Sequence, residues 1–533
     1  MDYIKLAIKN VSNYGDTDIF PFPMENALFF DLPERVEEVM KDIEANFGKW
    51  KANYPVECIK TCIPVGYTGY RWATVIDPIW NCFLLYQTLK ISSNIEMNRI
   101  PINKQSVFSY RIKPDEASGK LFNQDQNWRS FYGKAIENAK SDQYSYVIRF
   151  DISDFYNRVY HHRLDNALIG CGIEPEIKRR IMDILQDISG TASYGLPVGG
   201  NAARILAEIV LNSLDQMMSS KRFTFCRYVD DYIIFAKSRE DAYRKLNYCA
   251  DFLLRNEGLC LQKSKTQVLT SSEFLSLAKS TLEGQDGEVS KNSADFLKLH
   301  IHYDPYSATA DTDYEELKDK IGQFDILSIL KNEVRKSRIH QALGKQVLNA
   351  ITFLEGEKLE LAFSVIGANL ENLYPVFPSV MQIVNKKLLE TSKVAQKQFV
   401  DVLYKLVEDD SYMLQTDNNA SYVVRVFSLV NTEKSIQGID FLHSRMTSPL
   451  VKFNCIYAMI NLNNHYWLSD IKSRFSTLSR WERRAFIAAS YYLKDEGSHW
   501  RDHTKEQFTE FEKLVRDWVA SKNVTQNRWK IPL

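Results

Sequence analysis

Residues 223–237 read FTFCRYVDDYIIFAK and place two adjacent carboxylates, Asp230 and Asp231, between runs of aromatic and β-branched residues. Such runs are typical of strands, so the segment predicts a β-hairpin with both carboxylates at its tip. A tight turn favours a glycine that adopts positive φ, and this tip contains none. Turn formation therefore explains the Asp pair poorly. Binding of Mg²⁺ explains it better, because Mg²⁺ prefers carboxylate oxygens.

A third candidate carboxylate is Asp151, which lies within YVIRFDISDFY at residues 146–156. The apolar residues before it predict a buried strand. A carboxylate at the end of a buried strand is costly unless it has partners. For this segment alone two interpretations stay open: a metal ligand, or an aspartate that ends a strand and caps a turn.

A glycine-rich loop lies between these segments, in YGLPVGGNAARILAEIVLNSLD at residues 194–215. It contains Pro197 and Gly199 and leads into apolar residues at helical spacing. The loop is either an ordinary strand-to-helix connection or a backbone that a base pair approaches closely, because glycine has no side chain to block it. The predicted elements of this region are strands at residues 146–151, 223–229 and 232–237, and helices at residues 200–218 and 241–256.

Length and composition limit the class of protein. A chain of 533 residues predicts two or more domains. Lys+Arg and Asp+Glu both number 67, so a nucleic-acid partner would need a local basic channel rather than an excess of positive charge. Only two of the eight cysteines, Cys58 and Cys62, are close together, which disfavours zinc and favours reduced thiols in a cytoplasmic protein. No signal peptide or membrane span is expected.

The domain organisation is predicted from a polar, glycine-containing stretch at residues 279–294. It suggests a first domain at residues 1–285 that mixes strands and helices, and a second at residues 286–533. In the second domain strand patterns fade, and apolar stripes at helical spacing recur between short polar breaks. We therefore expect an α+β fold followed by an all-α domain of stacked helical hairpins.

The order of the motifs resembles the palm of reverse transcriptases. The aspartate of DISDFY, then LPVG, then YVDD follow one another as in that family. EGLCLQKSKTQVL at residues 257–269 resembles the next family motif, and VFSYRIKP at residues 107–114 resembles the preceding motif of the fingers. The resemblance covers roughly residues 100–270 and implies a fingers-and-palm fold that polymerises nucleotides.

The resemblance also implies roles for individual residues. It makes Asp151 and Asp230 ligands of two divalent ions, Mg²⁺ or Mn²⁺, with Asp231 as a supporting ligand and the Ile152 carbonyl completing one coordination sphere. The nucleotide-binding residues that it implies are Arg111 and Lys113 at the triphosphate, Phe155 and Tyr156 at the sugar, Pro197 and Gly199 in the loop, and Lys265 near the leaving group. For Arg111, Lys113 and Lys265 an ordinary surface charge is the alternative.

In the family that the motifs resemble, the position of Tyr156 is the steric gate, whose ring leaves no room for a ribose 2′-hydroxyl. The resemblance therefore implies a preference for dNTPs and disfavours an RNA-directed RNA polymerase. Val198 stands where retroviral enzymes have Gln and removes a polar contact to the nucleotide. This departure puts ordinary templated synthesis in question.

Two segments resemble the bacterial phage-defence reverse transcriptases of the abortive-infection type: residues 13–31 and the Trp-Glu-Arg-Arg segment at residues 479–503. That resemblance implies a helical domain, homo-oligomers, and single-stranded DNA that is started on a tyrosine of the protein or copied from a partner non-coding RNA. Candidate priming residues are Tyr3, Tyr14 and Tyr54. The alternatives are a retron- or intron-like enzyme that copies a dedicated RNA, and a non-catalytic nucleic-acid-binding scaffold.

Overall fold

The computed structural model describes residues 1–15, 19–21, 23–283, 296, 317–525 and 529–533. It divides into two compact units. The first comprises Met1–Lys60 and Ala73–Leu282, and the second comprises Thr61–Trp72 and Glu283–Leu533. The predicted boundary between residues 285 and 286 lies outside the described residues. The sequence assigned residues 61–72 to the first domain, whereas the structure groups them with the second unit.

The first unit mixes helices and strands. Its helices are α1 (Tyr3–Tyr14), α2 (Met24–Asp31), α3 (Pro33–Ala45), α4 (Phe47–Asn53), α5 (Pro78–Lys90), α6 (Ser92–Asn98), α7 (Trp128–Ala139), α8 (Phe155–Arg158), α9 (His161–Gly170), α10 (Pro175–Ser189), α11 (Asn201–Ser220), α12 (Arg239–Phe252) and α13 (Ser271–Glu283). The strands are β1 (Cys58–Val65), β2 (Gly69–Ile76), β3 (Tyr146–Phe150), β4 (Thr224–Tyr228), β5 (Asp231–Ala236) and β6 (Gln267–Thr270), and the outer part of the β1–β2 hairpin belongs to the second unit.

The sheet that carries the candidate site has the strand order β4-β5-β3-β6, and each neighbouring pair is antiparallel. Its strands consist largely of β-branched and aromatic residues, which suit a pleated surface buried on both sides. Helix α7 covers one side, where Phe131 and Tyr132 pack with Val147, Ile233 and Phe235 in one buried cluster. Helix α12 also packs on β3, β5 and β6. The predicted strands and the helices that begin near residues 200 and 240 are thereby confirmed.

The described part of the second unit beyond the hairpin tip is helical. Its helices are α14 (Ile326–Val334), α15 (Gln341–Ile351), α16 (Gly356–Gly367), α17 (Phe377–Lys387), α18 (Lys393–Glu408), α19 (Asp417–Phe427), α20 (Glu433–Arg445), α21 (Pro449–Asn461), α22 (His465–Ser473), α23 (Arg480–Ala489), α24 (Lys494–Thr504) and α25 (Glu510–Thr525). The predicted fold class, α+β with a helical C-terminal region, is confirmed.

Helices that are two apart in the sequence pack on each other and form two rows. One row runs through α15, α17, α19, α21, α23 and α25, and the other runs through α14, α16, α18 and α20. Two rows of alternating helices are the arrangement of a helical-repeat array, in which each element contacts mainly its neighbours. Among the described residues, no helix is long and apolar enough to span a membrane.

The segment at residues 479–503 forms part of this array. Ser479 and Glu482 make a reciprocal capping box that starts α23, which explains this part of the Trp-Glu-Arg-Arg motif as helix initiation. Trp481 stacks on Phe453, with ring centroids 5.7 Å apart. Trp500 packs edge-on against Phe486 at 4.9 Å. The segment is therefore a pair of helices held by aromatic rings.

The last described residues lie along the first row. Asn385 of α17 donates to the carbonyl of Leu533 at 3.0 Å. Asn461 of α21 exchanges two hydrogen bonds with Ile531, at 3.1 and 3.0 Å. Residues 529–533 thus connect helices that are not neighbours in the row.

Candidate active site

Asp151 and Asp231 reach the same end of the four-stranded sheet because their strands are antiparallel neighbours. β3 ends at Phe150, so Asp151 follows it directly, while β5 begins at Asp231. The register sets Phe150 opposite Tyr232 and therefore brings Asp151 level with Asp231. Asp151 is buried, with 7% of its surface exposed. The structure thus brings together carboxylates that are distant in the sequence.

Asp230 lies in the two-residue turn between β4 and β5. Tyr228 pairs with Asp231 across this turn, which leaves Val229 and Asp230 as its connecting residues. Val229 has φ +55°, a left-handed conformation that is costly for a β-branched side chain. The turn without a glycine is therefore closed by a strained valine. Strain of this kind is frequent at functional sites.

The three carboxylates differ in exposure: Asp151 is buried, Asp230 is half-buried and Asp231 is exposed. Burial, followed by the charges of Asp151 and Asp231, raises the pKa of Asp230 to about 8. Burial and Asp151 also raise the pKa of Asp231, although Lys265 and Arg149 act in the opposite direction. Positive charge at this point would relieve the repulsion.

Lys265 provides one such charge. Its ammonium group pairs with Oδ2 of Asp151, and its pKa is raised because this pairing outweighs the lowering effect of burial. Oδ1 of Asp151 is buried and receives no hydrogen bond. A buried carboxylate oxygen without a donor fits a cation, since buried polar atoms normally have partners. The structure therefore brings the predicted residue Lys265 into the site.

The donor set fits Mg²⁺ or Mn²⁺ only as a partial site. Within the described ranges, no group of three or more His, Cys, Asp or Glu side chains forms a ready-made metal site. Mg²⁺ commonly takes one or two carboxylates and completes its shell with water and substrate phosphates, and Asp151 and Asp230 could supply those carboxylates. Ile152 is buried and pairs with Leu261 in an isolated bridge. A metal contact from its carbonyl stays a prediction.

The structure distinguishes between the two candidate rings at the sugar position. Phe155 is buried in the core at 2% exposure, whereas Tyr156 is half-buried. Burial raises the pKa of Tyr156 well above its usual range, and Tyr110 and Asp230 act in the same direction. Tyr156 rather than Phe155 is therefore the ring that remains partly accessible.

The glycine-rich loop lies against the same segment. The Leu196 amide donates to the Tyr156 carbonyl at 2.7 Å. Gly199 has φ +129°, which side-chain-bearing residues rarely adopt, so a glycine is required there. Pro197 is buried beside Leu196 in the chain. The structure thus joins the loop to the ring at the candidate sugar position.

The structure does not bring Arg111 and Lys113 to the carboxylates. Arg111 is 2% exposed, pairs with Glu96 and donates to the Ile100 carbonyl at 2.8 Å. Burial lowers its pKa to about 10. Because its guanidinium is enclosed and paired, the expected contact with a triphosphate is not available to it in this conformation. Lys113 is exposed, and its amide donates to the Leu121 carbonyl at 3.0 Å.

The three candidate priming tyrosines lie in different surroundings. Tyr54 is buried, and its hydroxyl donates to Asp77 at 2.8 Å, so it is not available as a nucleophile in this conformation. The Tyr14 hydroxyl donates to the Ser118 carbonyl at 2.9 Å. Tyr3 is half-buried at the start of α1. Their role in priming stays a prediction.

A buried ionic network behind the turn was not predicted. Arg227, two residues before Val229, is fully buried, and its guanidinium binds Asp215 and Glu208 of α11. Its Nη1 donates to the Val229 carbonyl at 3.0 Å. Arg99 donates to the same Glu208 at 2.6 Å. The available signal was an arginine inside the apolar strand FTFCRY, since a buried charge requires partners.

Arg149 was also not predicted as part of the site. It lies on β3 two residues before Asp151 and donates to the Tyr132 hydroxyl at 3.2 Å. Arg149, Asp231 and Lys265 line a polar cavity of about 180 Å³ beside the carboxylates. The charge of Arg149 partly offsets the rise in the pKa of Asp231.

Comparison with solved structures finds telomerases, with low similarity. Apo telomerase from Candida tropicalis is 10% identical, with a TM-score of 0.29 over 77% of this chain and 72% of that chain. Telomerase from Candida albicans, in complex with a fragment of telomeric RNA, is 10% identical, with a TM-score of 0.29 over 76% of this chain and 65% of that chain. Comparison of the sequence with curated proteins finds no match.

Comparison with protein families gives a specific result. Residues 96–300 match the family model described as reverse transcriptase (RNA-dependent DNA polymerase). The matched range contains Asp151, Asp230 and Asp231, the glycine-rich loop and Lys265. Residues 96–300 are therefore similar to a reverse transcriptase domain, and this match indicates RNA-directed DNA polymerase activity.

Proposed function

We propose that this enzyme joins dNTPs into single-stranded DNA, with Asp151, Asp230 and Asp231 as ligands of two divalent ions, Mg²⁺ or Mn²⁺. The observation that carries the proposal is the strand register, which brings Asp151 level with Asp231 and sets Asp230 in the adjoining turn, where the charge of Asp151 raises the pKa of both Asp230 and Asp231. Bound divalent ions would activate the attacking hydroxyl and neutralise the leaving pyrophosphate.

The neighbouring side chains have separate tasks in this proposal. Lys265 keeps its proton, because pairing with Asp151 raises its pKa, and its side chain is 62% exposed. It can therefore turn from Asp151 to the leaving phosphate and supply charge or a proton there. The half-buried ring of Tyr156 excludes a 2′-hydroxyl from the incoming sugar. The Gly199 backbone allows a base pair to approach closely.

We also propose that the enzyme acts in the cytoplasm in phage defence of the abortive-infection type. The support is the resemblance of residues 13–31 and 479–503 to that group. The proposal includes a polymerase domain at residues 1–285, a helical domain at residues 286–533 and assembly into homo-oligomers. It also includes either attachment of the DNA to a tyrosine of the protein or copying of a partner RNA.

Asp230→Asn tests the polymerase proposal. The variant keeps the shape of the side chain and removes its charge, so incorporation of labelled dNTPs in the presence of Mg²⁺ should fall at least about a hundredfold. Asp142→Asn, at an exposed aspartate away from the site, is the matched control and should retain the parent rate. Equal incorporation by the parent and Asp230→Asn would contradict the proposed roles of the carboxylates.

The product distinguishes the proposed modes of synthesis. DNA that stays with the protein after denaturation, and that yields a DNA-linked tyrosine peptide, supports protein priming. DNA with a free 5′ end and the complement of a co-purified RNA supports a retron-like enzyme. For the defence role, cells that produce the parent enzyme should resist phage, and cells that produce Asp230→Asn should not. Equal plaque counts from the two cultures would remove defence from the proposal.

A further inference from the structure

We infer that Arg227 is a positioning residue that holds the turn carrying Asp230 in its strained conformation, and this inference rests on the proposed role of Asp230. Arg227 does not approach Asp151, and its Nη1 contacts the backbone of the turn, donating to the Val229 carbonyl at 3.0 Å. Val229 is the residue with φ +55°, directly before Asp230. The hydrogen bond therefore acts on the one peptide whose conformation determines where Asp230 lies.

Two carboxylates fix the guanidinium itself. Arg227 Nε and Nη2 donate to Asp215 at 2.9 and 2.6 Å, and Nη2 also donates to Glu208 at 2.8 Å. Arg227 is 0% exposed, and both carboxylates are 1% exposed. Paired, charge-assisted hydrogen bonds in a buried setting hold a planar guanidinium in one orientation. This orientation aims Nη1 at the turn.

Arg227 also connects the turn to the start of the fingers motif. Its amide donates to the Ser106 carbonyl at 2.7 Å, and its carbonyl accepts from Phe108 at 3.0 Å. Ser109 donates to Glu208 at 2.5 Å. One residue thus fixes both the turn with Asp230 and the backbone of residues 106–108. A shift of its side chain would move the turn while the sheet stays intact.

The strain of Val229 gives this contact its importance. A β-branched residue in the left-handed region tends to relax unless its surroundings hold it there. The hydrogen bond from Arg227 to the Val229 carbonyl opposes this relaxation. Without it, Asp230 would be displaced from the position in which it shares a cation with Asp151.

Arg227→Lys tests this inference, because it keeps the charge between Asp215 and Glu208 and removes the donor that reaches Val229. Mn²⁺ binding followed by electron paramagnetic resonance should weaken about tenfold, and the Mg²⁺ concentration for half-maximal polymerisation should rise by a similar factor. Arg99→Lys is the matched control, since Arg99 is buried and contacts the same Glu208 but does not contact the turn. Its metal affinity should stay within about twofold of the parent.

A purely structural role gives a different result. Partial unfolding would lower the amount of active enzyme and leave the metal affinity of the remainder unchanged. Unchanged Mn²⁺ affinity in folded Arg227→Lys, or equal weakening in Arg99→Lys, would overturn the inference. If Arg227→Lys does not fold, the isosteric Asp215→Asn loosens the guanidinium and should weaken Mn²⁺ binding in the same direction. Unchanged affinity in Asp215→Asn would then overturn it.

A double-mutant cycle tests the route through Val229. Glycine adopts positive φ without strain, so Val229→Gly makes the turn less dependent on Arg227. The loss of Mn²⁺ affinity caused by Arg227→Lys should fall from about tenfold to about threefold or less in the Val229→Gly background. Full additivity would show that Arg227 does not act through the turn. Failure of the proposed function gives a different result from failure of this inference. If Asp230 has no role in polymerisation, Asp230→Asn retains activity, whatever Arg227→Lys does.

Discussion

Tyr156 is the side chain through which this site is expected to choose its sugar. Its ring is half-buried, while Phe155 is enclosed in the core. The hydrogen bond between the Leu196 amide and the Tyr156 carbonyl holds the backbone at this position. The position of the ring is therefore set by its own backbone as well as by packing. A side chain held in this way can reject a nucleotide that carries one additional hydroxyl, the 2′-hydroxyl of ribose.

Tyr156→Ala should relax the discrimination between dNTPs and ribonucleotides. Removal of the ring opens space for a 2′-hydroxyl, so the preference for dNTPs in kcat/KM should fall about tenfold or more. Tyr156→Phe is the matched control, because it keeps the ring and should keep the preference. Single-nucleotide incorporation with each type of sugar measures the ratio. A variant that rejects ribonucleotides as strongly as the parent would show that another group selects the sugar.

For individual residues, the sequence predicted the candidate carboxylates but not the buried side chains behind the turn that carries Asp230. Asp151 and Asp230 follow short apolar runs, and the order of the motifs along the chain singled them out as candidate ligands. The partners of Arg227 are Asp215, Glu208 and the Val229 carbonyl, and only the last is close in the sequence. Pairing between distant residues depends on how α11 packs beside β4, which periodicity does not reveal. The same reason explains why the burial of Arg111 was not foreseen.

At the level of helices and strands, helix α24 of the second unit packs closely against the backbone at Ser490. Gly497 of α24 is buried, and a Cβ at this position would lie 1.7 Å from the Ser490 carbonyl oxygen. No rotation of a side chain relieves a clash with a backbone atom. By contrast, a Cβ at Gly367 in α16 would meet Phe399 at an ordinary 3.7 Å. Close backbone contact therefore requires a glycine at position 497, whereas the packing at position 367 leaves room for the methyl group of an alanine.

Gly497→Ala should destabilise the second unit by about 3 kcal/mol, because α24 must move away from the chain at Ser490. This corresponds to a fall in Tm of about 5–10 °C, measured by circular dichroism. Gly367→Ala should stay within about 2 °C of the parent, since its added methyl group finds ordinary contacts. Equal melting temperatures for Gly497→Ala and the parent would contradict the close approach of α24 to Ser490.

Strands and helices were predicted correctly where their apolar periodicity is strong. The assignment of the β1–β2 hairpin to a single domain differs from the structure, which groups its outer part with the second unit. The strand before Asp151 and the helix after Gly200 were located from their apolar patterns. The outer part of the β1–β2 hairpin was assigned to the first domain, yet Tyr67 at its tip donates to the Asn372 carbonyl at 2.8 Å and accepts from the Ile339 amide at 3.0 Å. Such long-range contacts leave no local signal in the sequence.

For the whole molecule, acid stability should be limited in part by His443. Burial, followed by the charge of Lys452, lowers its pKa to about 4 from an ordinary value of 6.5. Above pH 7 the imidazole is neutral in both the folded and the unfolded chain. Between pH 6.5 and 4 the unfolded chain takes up a proton that the folded chain does not. Falling pH therefore favours the unfolded state in this window.

His443→Phe should reduce this pH dependence, because it keeps a ring against Trp467 and removes the titrating group. At pH 5.5 the histidine should cost about 1.4 kcal/mol of folding free energy relative to pH 8. The fall in Tm from pH 8 to pH 5.5 should therefore be smaller in His443→Phe than in the parent. Parallel pH profiles for the two proteins would show that His443 is protonated in the folded state.

The last described residues alter the mechanics of the helical array. In an array whose helices contact only neighbours, one helix pair can melt while the pairs on either side persist. Residues 529–533 bind Asn385 and Asn461, which belong to α17 and α21. Melting of the helices from α17 to α21 would therefore also require release of these hydrogen bonds. This stretch should for that reason fray or bend less readily than it would if its helices contacted only their neighbours.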